Sequence, residues 1–281
     1  MANLVRSAKS GNDWTQSDLQ AYNIRVFFQD ATTFFGGPLP QPTVRHEVLT
    51  VQNQTEATDS ILLHFIVFMK CAGSIPCRAN AFYNFIWWLL QELGYEAMYG
   101  EVCGFVGRDM DMQFVICGQV KHVKTGAQII EAGAGDRCLL LVQEDKRRHT
   151  REALDPEPQL IASAIANFSE FNFFRVRALG QPALEELVIP GFTMTGTLPI
   201  FYKIPVTTAL AHAVEDGQYP AQETVVYAHL PELPRPQQAF DEGMEPLDNR
   251  HVILSCFQGL RQFMLSNLGL TNDDLVVIPL Y

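Results

Sequence analysis

The chain has 281 residues, of which 47% are hydrophobic and 18% charged, a composition typical of a globular protein with a sizeable core. The formal charge of −11 disfavours an extensive electrostatic contact with nucleic acid. No apolar segment reaches the ~20 residues that cross a bilayer, and the first residues lack the apolar centre of a signal peptide. We therefore expect a cytoplasmic or nuclear protein without a membrane partner.

The first part of the chain predicts an arm followed by two helices. Residues 1–55 are expected to form an irregular N-terminal arm, because the segment FFGGPLPQP (34–42) interrupts any regular element. Residues 56–281 are expected to form a single domain. Within it, apolar residues at helical spacing predict helices over 55–73 and 78–95.

A run of strands is expected after these helices. Apolar and alternating patterns predict strands over 97–107, 112–120, 127–133 and 137–146, with a hairpin turn at 133–136. Such a run, following two helices and preceding others, predicts an α/β (α+β) fold with a central mixed sheet flanked by helices.

The remaining chain alternates again between helix and strand. Asp155 is a good N-cap and Pro156 suits the first helical position, so a helix is expected from residue 156. The later elements are expected to be two strands within 188–206, a short helix over 208–217, a Pro-rich connection over 231–250 and a long helix over 251–270.

The segment CLLLVQEDKRRH (138–149) carries the main functional signal. Its apolar residues predict a strand buried on both faces, and that strand ends in charges instead of a turn residue. Because β side chains alternate, Glu144 and Lys146 project from the same face. An acid beside an amine favours phosphodiester hydrolysis, in which the carboxylate holds a divalent metal and the amine stabilises the developing charge.

The segments LLLVQEDKR, DPEPQLIASAIANF and TMTGTLPIFYKIPVT resemble those of an uncharacterised basidiomycete family, whose core is similar to the PD-(D/E)XK nuclease superfamily. The resemblance covers about residues 80–265. It implies a restriction-endonuclease-like fold and a fungal hydrolase that uses Mg²⁺ or Mn²⁺. It also implies Glu144 as a metal ligand, Lys146 as its cationic assistant and Gln159 as a positioning residue.

The chain departs from this family at the second metal ligand. The relatives carry a Thr-Asp step where this chain has Thr125 and Gly126, and glycine has no side chain to bind a metal. The helix before the sheet has Tyr83 where the relatives tend to carry acids. Other acids are candidates for the missing ligand, with Asp111 the best of them; the alternatives are Glu92, Glu96, Asp109, Glu131 and Asp136.

Two functional hypotheses follow. The first is a metal-dependent nuclease in which Glu144 and Asp111 bind the metal. The second is a repurposed nuclease fold that has lost this cleavage and uses Glu144 as an acid or base on a small, partly apolar metabolite. A third, weaker hypothesis is a protein-binding module that uses the Pro-rich segment 231–250.

Two features allow more than one interpretation. Glu144 and Lys146 are also compatible with a simple ion pair at a strand end, worth at most ~1 kcal/mol if exposed. The basic run over 146–151 is a candidate for phosphate contact or a solvated loop. Trp87 and Trp88 lie ~100° apart on their helix and cannot both face the core, so one of them is expected to pack on the N-terminal arm or to line a cleft.

Overall fold

The computed structural model describes residues 6–74, 80–133, 137–148 and 154–276. The strands are β1 (Ile24–Phe28), β2 (Met98–Tyr99), β3 (Val102–Ile116), β4 (Gln119–Glu131), β5 (Cys138–Glu144), β6 (Glu186–Thr195), β7 (Leu198–Thr207), β8 (Thr224–His229) and β9 (Leu275–Val276). The helices are α1 (Gln16–Ala21), α2 (Ala31–Phe35), α3 (His46–Thr50), α4 (Ser60–Gly73), α5 (Ala81–Glu92), α6 (Pro156–Arg177), α7 (Thr208–Asp216), α8 (Ala239–Glu242) and α9 (Leu247–Ser266).

The strands form one mixed sheet in the order β1-β8-β7-β6-β5-β4-β3-β2-β9. Strand β5 runs parallel to β6 and β1 runs parallel to β8, whereas the remaining neighbours are antiparallel. The predicted α/β fold with a central mixed sheet flanked by helices is confirmed. No helix in the described ranges is long and apolar enough to cross a membrane.

The sheet separates two apolar cores. The first contains side chains of α4, α5 and α9, such as Phe85 and Phe257, and the second contains side chains of α6, such as Ile165. Strand β5 contributes to both, since Leu140 lies in the first core and Leu141 in the second. The prediction that this strand is buried on both faces is therefore confirmed, and its charged end lies where the two helical layers meet the sheet.

The N-terminal segment is more regular than its Gly and Pro content predicts. Residues Ile24–Phe28 form strand β1, which pairs in parallel with β8, and Trp14 is fully buried in the second core. Neither β1 nor β8 is among the predicted strands. Both are short, and β1 is paired only with a segment 200 residues further along the chain, which local patterning cannot reveal. The domain boundary at residue 55 stays a prediction.

The strand boundaries between residues 97 and 133 differ from those predicted. Two strands were expected over 97–107 and 112–120, but after the short β2 the chain runs as one strand, β3, from Val102 to Ile116 and turns at Cys117 and Gly118 into β4. The two turn residues have φ of 49° and 73°, which is the backbone of a two-residue hairpin turn with both residues in the left-handed region. A cysteine rarely adopts this conformation, so the sequence did not indicate the turn.

Several elements after β5 follow the predictions, but β8 and the short helix α8 were not predicted, and the last long helix begins at Leu247, within the predicted connection over 231–250. Helix α6 begins at Pro156, and the Asp155 side chain accepts a hydrogen bond of 3.2 Å from the backbone of Glu157. The two strands expected within 188–206 are β6 and β7, and the short helix expected after them is α7. The expected turn at 133–136 lies largely outside the described residues.

A buried guanidinium joins α9 to the N-terminal segment. Arg250 has no exposed surface, and burial lowers its pKa to about 10. It donates hydrogen bonds to the backbone carbonyls of Val48 and Val51 at 2.9 and 2.7 Å, and to those of Met244 and Glu245 at 3.0 and 3.2 Å. These bonds fix helix α3 against α9.

We expect Arg250→Met to lower the free energy of unfolding by about 3 kcal/mol, because it leaves several buried carbonyl oxygens without a donor. Urea unfolding measured by circular dichroism tests this value. Arg25→Met is the matched control, since Arg25 is largely exposed and pairs with Glu223 at the surface; we expect it to cost less than about 1 kcal/mol. Equal losses in the two variants would contradict the assignment.

Candidate functional site

A cavity of about 320 Å³ lies where β5 ends, between α5 and α6. We call it the Glu144 cavity. Its lining combines acids, lysines, amides and a phenol. The polar residues are Asn12, Tyr83, Asp109, Lys124, Thr125, Gln143, Glu144, Lys146 and Gln159.

The cavity opens because β4 leaves β5 before both strands end. The pairing between the two strands stops at Ala127 and Val142. Beyond that point the Asn12 side chain takes the place of a strand partner, since it donates to the Lys124 carbonyl at 2.9 Å and accepts from the Lys124 amide at 2.8 Å. The N-terminal segment therefore satisfies the backbone of β4 and leaves the space beside Glu144 unfilled.

The structure brings three of the four predicted site residues together. Glu144, Lys146 and Gln159 all line the cavity. The Lys146 Nζ lies 3.9 Å from Glu144 Oε2, and the exposed fraction of the side chain is 13% for Glu144 and 58% for Lys146. Gln159 is held by the Nε2 of Gln143, which donates to its Oε1 at 3.3 Å. The two side chains lie together as expected, but not through strand alternation, because β5 ends at Glu144 and Lys146 begins a 3-10 turn over Lys146–Arg148.

The structure does not bring Asp111 to this cavity. Asp111 lines a different groove, and its Oδ1 lies 2.9 Å from Nδ1 of His122. Asp109, two residues earlier, lines the Glu144 cavity instead. Asp111 and Glu144, the two acids of the metal site predicted from the sequence, therefore line different cavities.

A left-handed residue explains why Asp109 and not Asp111 reaches the cavity. Asp109 has φ of 50°, a conformation that aspartate tolerates better than most residues. The two faces of β3 exchange sides at Asp109. Val106, before it, packs on the first core, and Met112, after it, packs on the second, although both residues have even numbers. Regular alternation would place them on the same face. The sequence contains no clear signal for this reversal.

Tyr83 fills the space beside Gly126. A Cβ built on Gly126 would overlap the ring and hydroxyl of Tyr83, which projects from α5. The φ of Gly126 is not in the left-handed region, so glycine is required here for space and not for backbone conformation. The two departures from the family pattern, at 83 and at 126, are thus a single packing arrangement.

The Tyr83 hydroxyl also interacts with the cavity acids. Burial, the charges of Glu144 and Asp109, and the hydrogen bond with Glu144 all raise the pKa of Tyr83. The phenol therefore keeps its proton at neutral pH and donates it in a hydrogen bond to the Glu144 carboxylate. From the sequence, Tyr83 was only a position without the expected acid, whereas in the structure it is the hydrogen-bond partner of Glu144.

The residues present do not fit the metal site that the resemblance implies. Position 126 offers no ligand, its space is occupied by Tyr83, and Asp111 lies in another groove. Across the described ranges, no three His, Cys, Asp or Glu side chains are placed to hold a metal ion. The Tyr83 phenol feels the charges of both Glu144 and Asp109, and two lysines line the same cavity.

The residues just after Glu144 anchor the strand end. Burial raises the pKa of Asp145, but hydrogen bonds from Arg147 and Thr195 outweigh this effect and bring it below its usual range. Arg147 also lies 3.5 Å from Asp155. Because its charge is already paired, Arg147 is a weak candidate for phosphate contact. His149 and Arg151 of the predicted basic run lie outside the described residues.

Two buried polar atoms of the lining lack a hydrogen-bond partner within the described part of the chain. They are the Thr125 hydroxyl and the Gln143 Oε1, on residues that are 2% and 8% exposed. Buried polar groups are nearly always paired, with protein, water or ligand. Both atoms are covered by surrounding protein, so they lie inside the wall of the cavity and do not face its open space.

No protein-family model matches the chain, and a search of curated proteins found no significant match.

We expect the double variant Tyr83→Ala/Gly126→Asp to bind Mn²⁺, because it frees the space at position 126 and adds a carboxylate near Glu144. Isothermal titration calorimetry should give a dissociation constant at or below about 1 mM for this variant. Wild-type protein and Tyr83→Ala alone should show no binding. The triple variant with Glu144→Gln should lose it again.

Equally tight Mn²⁺ binding by wild-type protein would contradict the argument that Tyr83 excludes the metal. We expect Gly126→Asp alone to be destabilised by about 1–3 kcal/mol, since its side chain overlaps the Tyr83 ring. Urea unfolding of Gly126→Asp and of the double variant tests whether removal of the Tyr83 ring restores the lost stability.

Proposed function

We propose that this chain binds a small, partly apolar metabolite in the Glu144 cavity and that Glu144 serves there as an acid–base group. The observation that carries the proposal is the Tyr83 phenol, which occupies the position of the missing metal ligand and hydrogen-bonds to Glu144. On this proposal the fold is a repurposed relative of the PD-(D/E)XK proteins that it resembles.

The size of the cavity supports a small ligand. Its volume of about 320 Å³ is at the lower end of the range for small-molecule sites. A nucleic-acid duplex needs an extended cationic surface, and the chain carries 31 acidic against 20 basic residues. A compact molecule that is enclosed on several sides suits this cavity better.

The side chains of the cavity supply the groups that acid–base chemistry needs. Glu144 is mostly buried yet lines the cavity, so its carboxylate can accept a proton from a bound ligand. Lys146, 3.9 Å away, stabilises negative charge that develops on the ligand. Gln143 and Gln159 hold each other in place and offer amide groups that orient the ligand.

We expect thermal-shift measurements with a panel of small, partly apolar metabolites to identify at least one compound that raises the melting temperature. Saturation at about one hundred times the dissociation constant adds ~2.7 kcal/mol, which corresponds to a shift of roughly 5 °C for a chain of this length. Mg²⁺ should give no shift.

Two variants test whether this ligand occupies the Glu144 cavity. Glu144→Gln and Lys146→Met should abolish the ligand-induced shift while leaving the melting temperature of the free protein nearly unchanged. Asp111→Asn is the matched control, because this acid lies in another groove, and it should keep the full shift. A shift that survives in both cavity variants, or a panel that gives none, would count against the proposal.

A nuclease is the second candidate, and the joint placement of Glu144, Lys146 and Gln159 favours it. Incubation of the protein with labelled DNA and RNA in Mg²⁺ or Mn²⁺ tests this function. Cleavage that chelator stops, that Glu144→Ala abolishes and that Asp111→Ala leaves intact would establish the nuclease in place of the metabolite site. We expect no such cleavage.

A further inference from the structure

An aromatic recess lies next to the Glu144 cavity. It has a volume of about 430 Å³ and is lined by His64 and Phe68 of α4, by Asn84, Trp87 and Trp88 of α5, and by Arg108 of β3. The ring of Trp88 lies 5.2 Å from that of His64 and 4.6 Å from that of Trp87. The rings thus line one recess, which is one of the two placements that the sequence left open.

The recess and the cavity share two stretches of chain. On α5, Tyr83 lines the cavity and its neighbour Asn84 lines the recess; on β3, Asp109 lines the cavity and Arg108 lines the recess. Consecutive Cα atoms are ~3.8 Å apart. Trp87 follows Tyr83 by four residues, so the two side chains lie on the same side of α5, one turn apart. Residues that line the two spaces are thus neighbours on α5 and on β3.

The charges of the Glu144 cavity are balanced. Two acids, Asp109 and Glu144, and two lysines, Lys124 and Lys146, line it. A purely anionic ligand would meet the two carboxylates and a purely cationic ligand would meet the two ammonium groups, so either would leave like charges facing each other. A molecule that carries one charge of each sign complements this lining.

The aromatic recess suits a flat ring. Indole, imidazole and phenyl groups stack with, or meet the edge of, another aromatic ring, and the guanidinium of Arg108 at the same recess can contact a ring face. Trp87 and Trp88 are only partly buried, so part of their apolar surface is available to a ligand.

We infer that the ligand of the Glu144 cavity is an aromatic zwitterion of the amino-acid type. Its ammonium and carboxylate groups lie in the cavity among the two acids and two lysines, and its ring lies in the recess against Trp87 and Trp88. This inference rests on the proposed function, because it places the polar part of the ligand in the same cavity.

Four probes separate the contributions of ring and charges. L-Phenylalanine carries the ring and both charges, phenylacetate lacks the ammonium, phenethylamine lacks the carboxylate, and L-alanine lacks the ring. Isothermal titration calorimetry should give the highest affinity for phenylalanine. The three others should bind at least about tenfold more weakly, because each loses one class of contact.

Tryptophan fluorescence locates the ring. The chain has three tryptophans, and Trp14 is fully buried in the second core, so a change in emission on binding reports on Trp87 and Trp88. Phenylalanine should change the emission and alanine should not. Trp87→Leu and Trp88→Leu should each reduce affinity for phenylalanine about tenfold and leave that for alanine unchanged.

The outcomes distinguish this inference from the proposed function. Equal binding of phenylalanine and alanine, lost in Glu144→Gln, would overturn the aromatic subsite and leave the cavity function intact. Equal binding of phenylalanine and phenylacetate would overturn the zwitterion. No binding by any of the four probes would overturn the whole inference, while the metabolite panel would still decide the proposed function. The comparison of probes uses wild-type protein, so it does not depend on the folding of any variant.

Discussion

The close approach of Tyr83 to Gly126 is the constraint on which the candidate site depends. The phenol lies against a strand position that has no Cβ, and its hydroxyl binds Glu144. This contact joins helix α5 to β4 and β5 at the point where these two strands separate. It also determines what the cavity contains, which is a protonated hydrogen-bond donor beside the Glu144 carboxylate.

The arrangement of β3 and β4 supports this contact. The left-handed Asp109 reverses the faces of β3, and the hairpin turn at Cys117 and Gly118 sets the register that continues to Asp109. Asn12 satisfies the backbone of β4 where β5 no longer pairs with it. Three irregularities therefore cooperate to open a polar cavity between two well-packed apolar cores, where a regular sheet would leave no space.

The cavity is specific in its chemistry because opposite charges lie close together in a partly enclosed space. Glu144 is largely shielded from solvent while Lys146 is more than half exposed, so the carboxylate lies on the inner side and the ammonium at the opening. Low solvent access strengthens their effect on a bound molecule. The adjoining aromatic recess adds apolar surface without further acids, which divides the combined space into a charged part and an aromatic part.

Local patterns in the sequence determined the fold class, the buried strand β5 and the start of α6. Each of these depends on side-chain alternation, helical spacing or capping, which act within a few residues. Only the tertiary structure decided four other features: the strand β1, the turn at Cys117, the exchange of strand faces at Asp109 and the contact of Tyr83 with Gly126. They join segments that are far apart in the chain, or they use backbone conformations that neighbouring contacts impose on residues with little intrinsic preference for them.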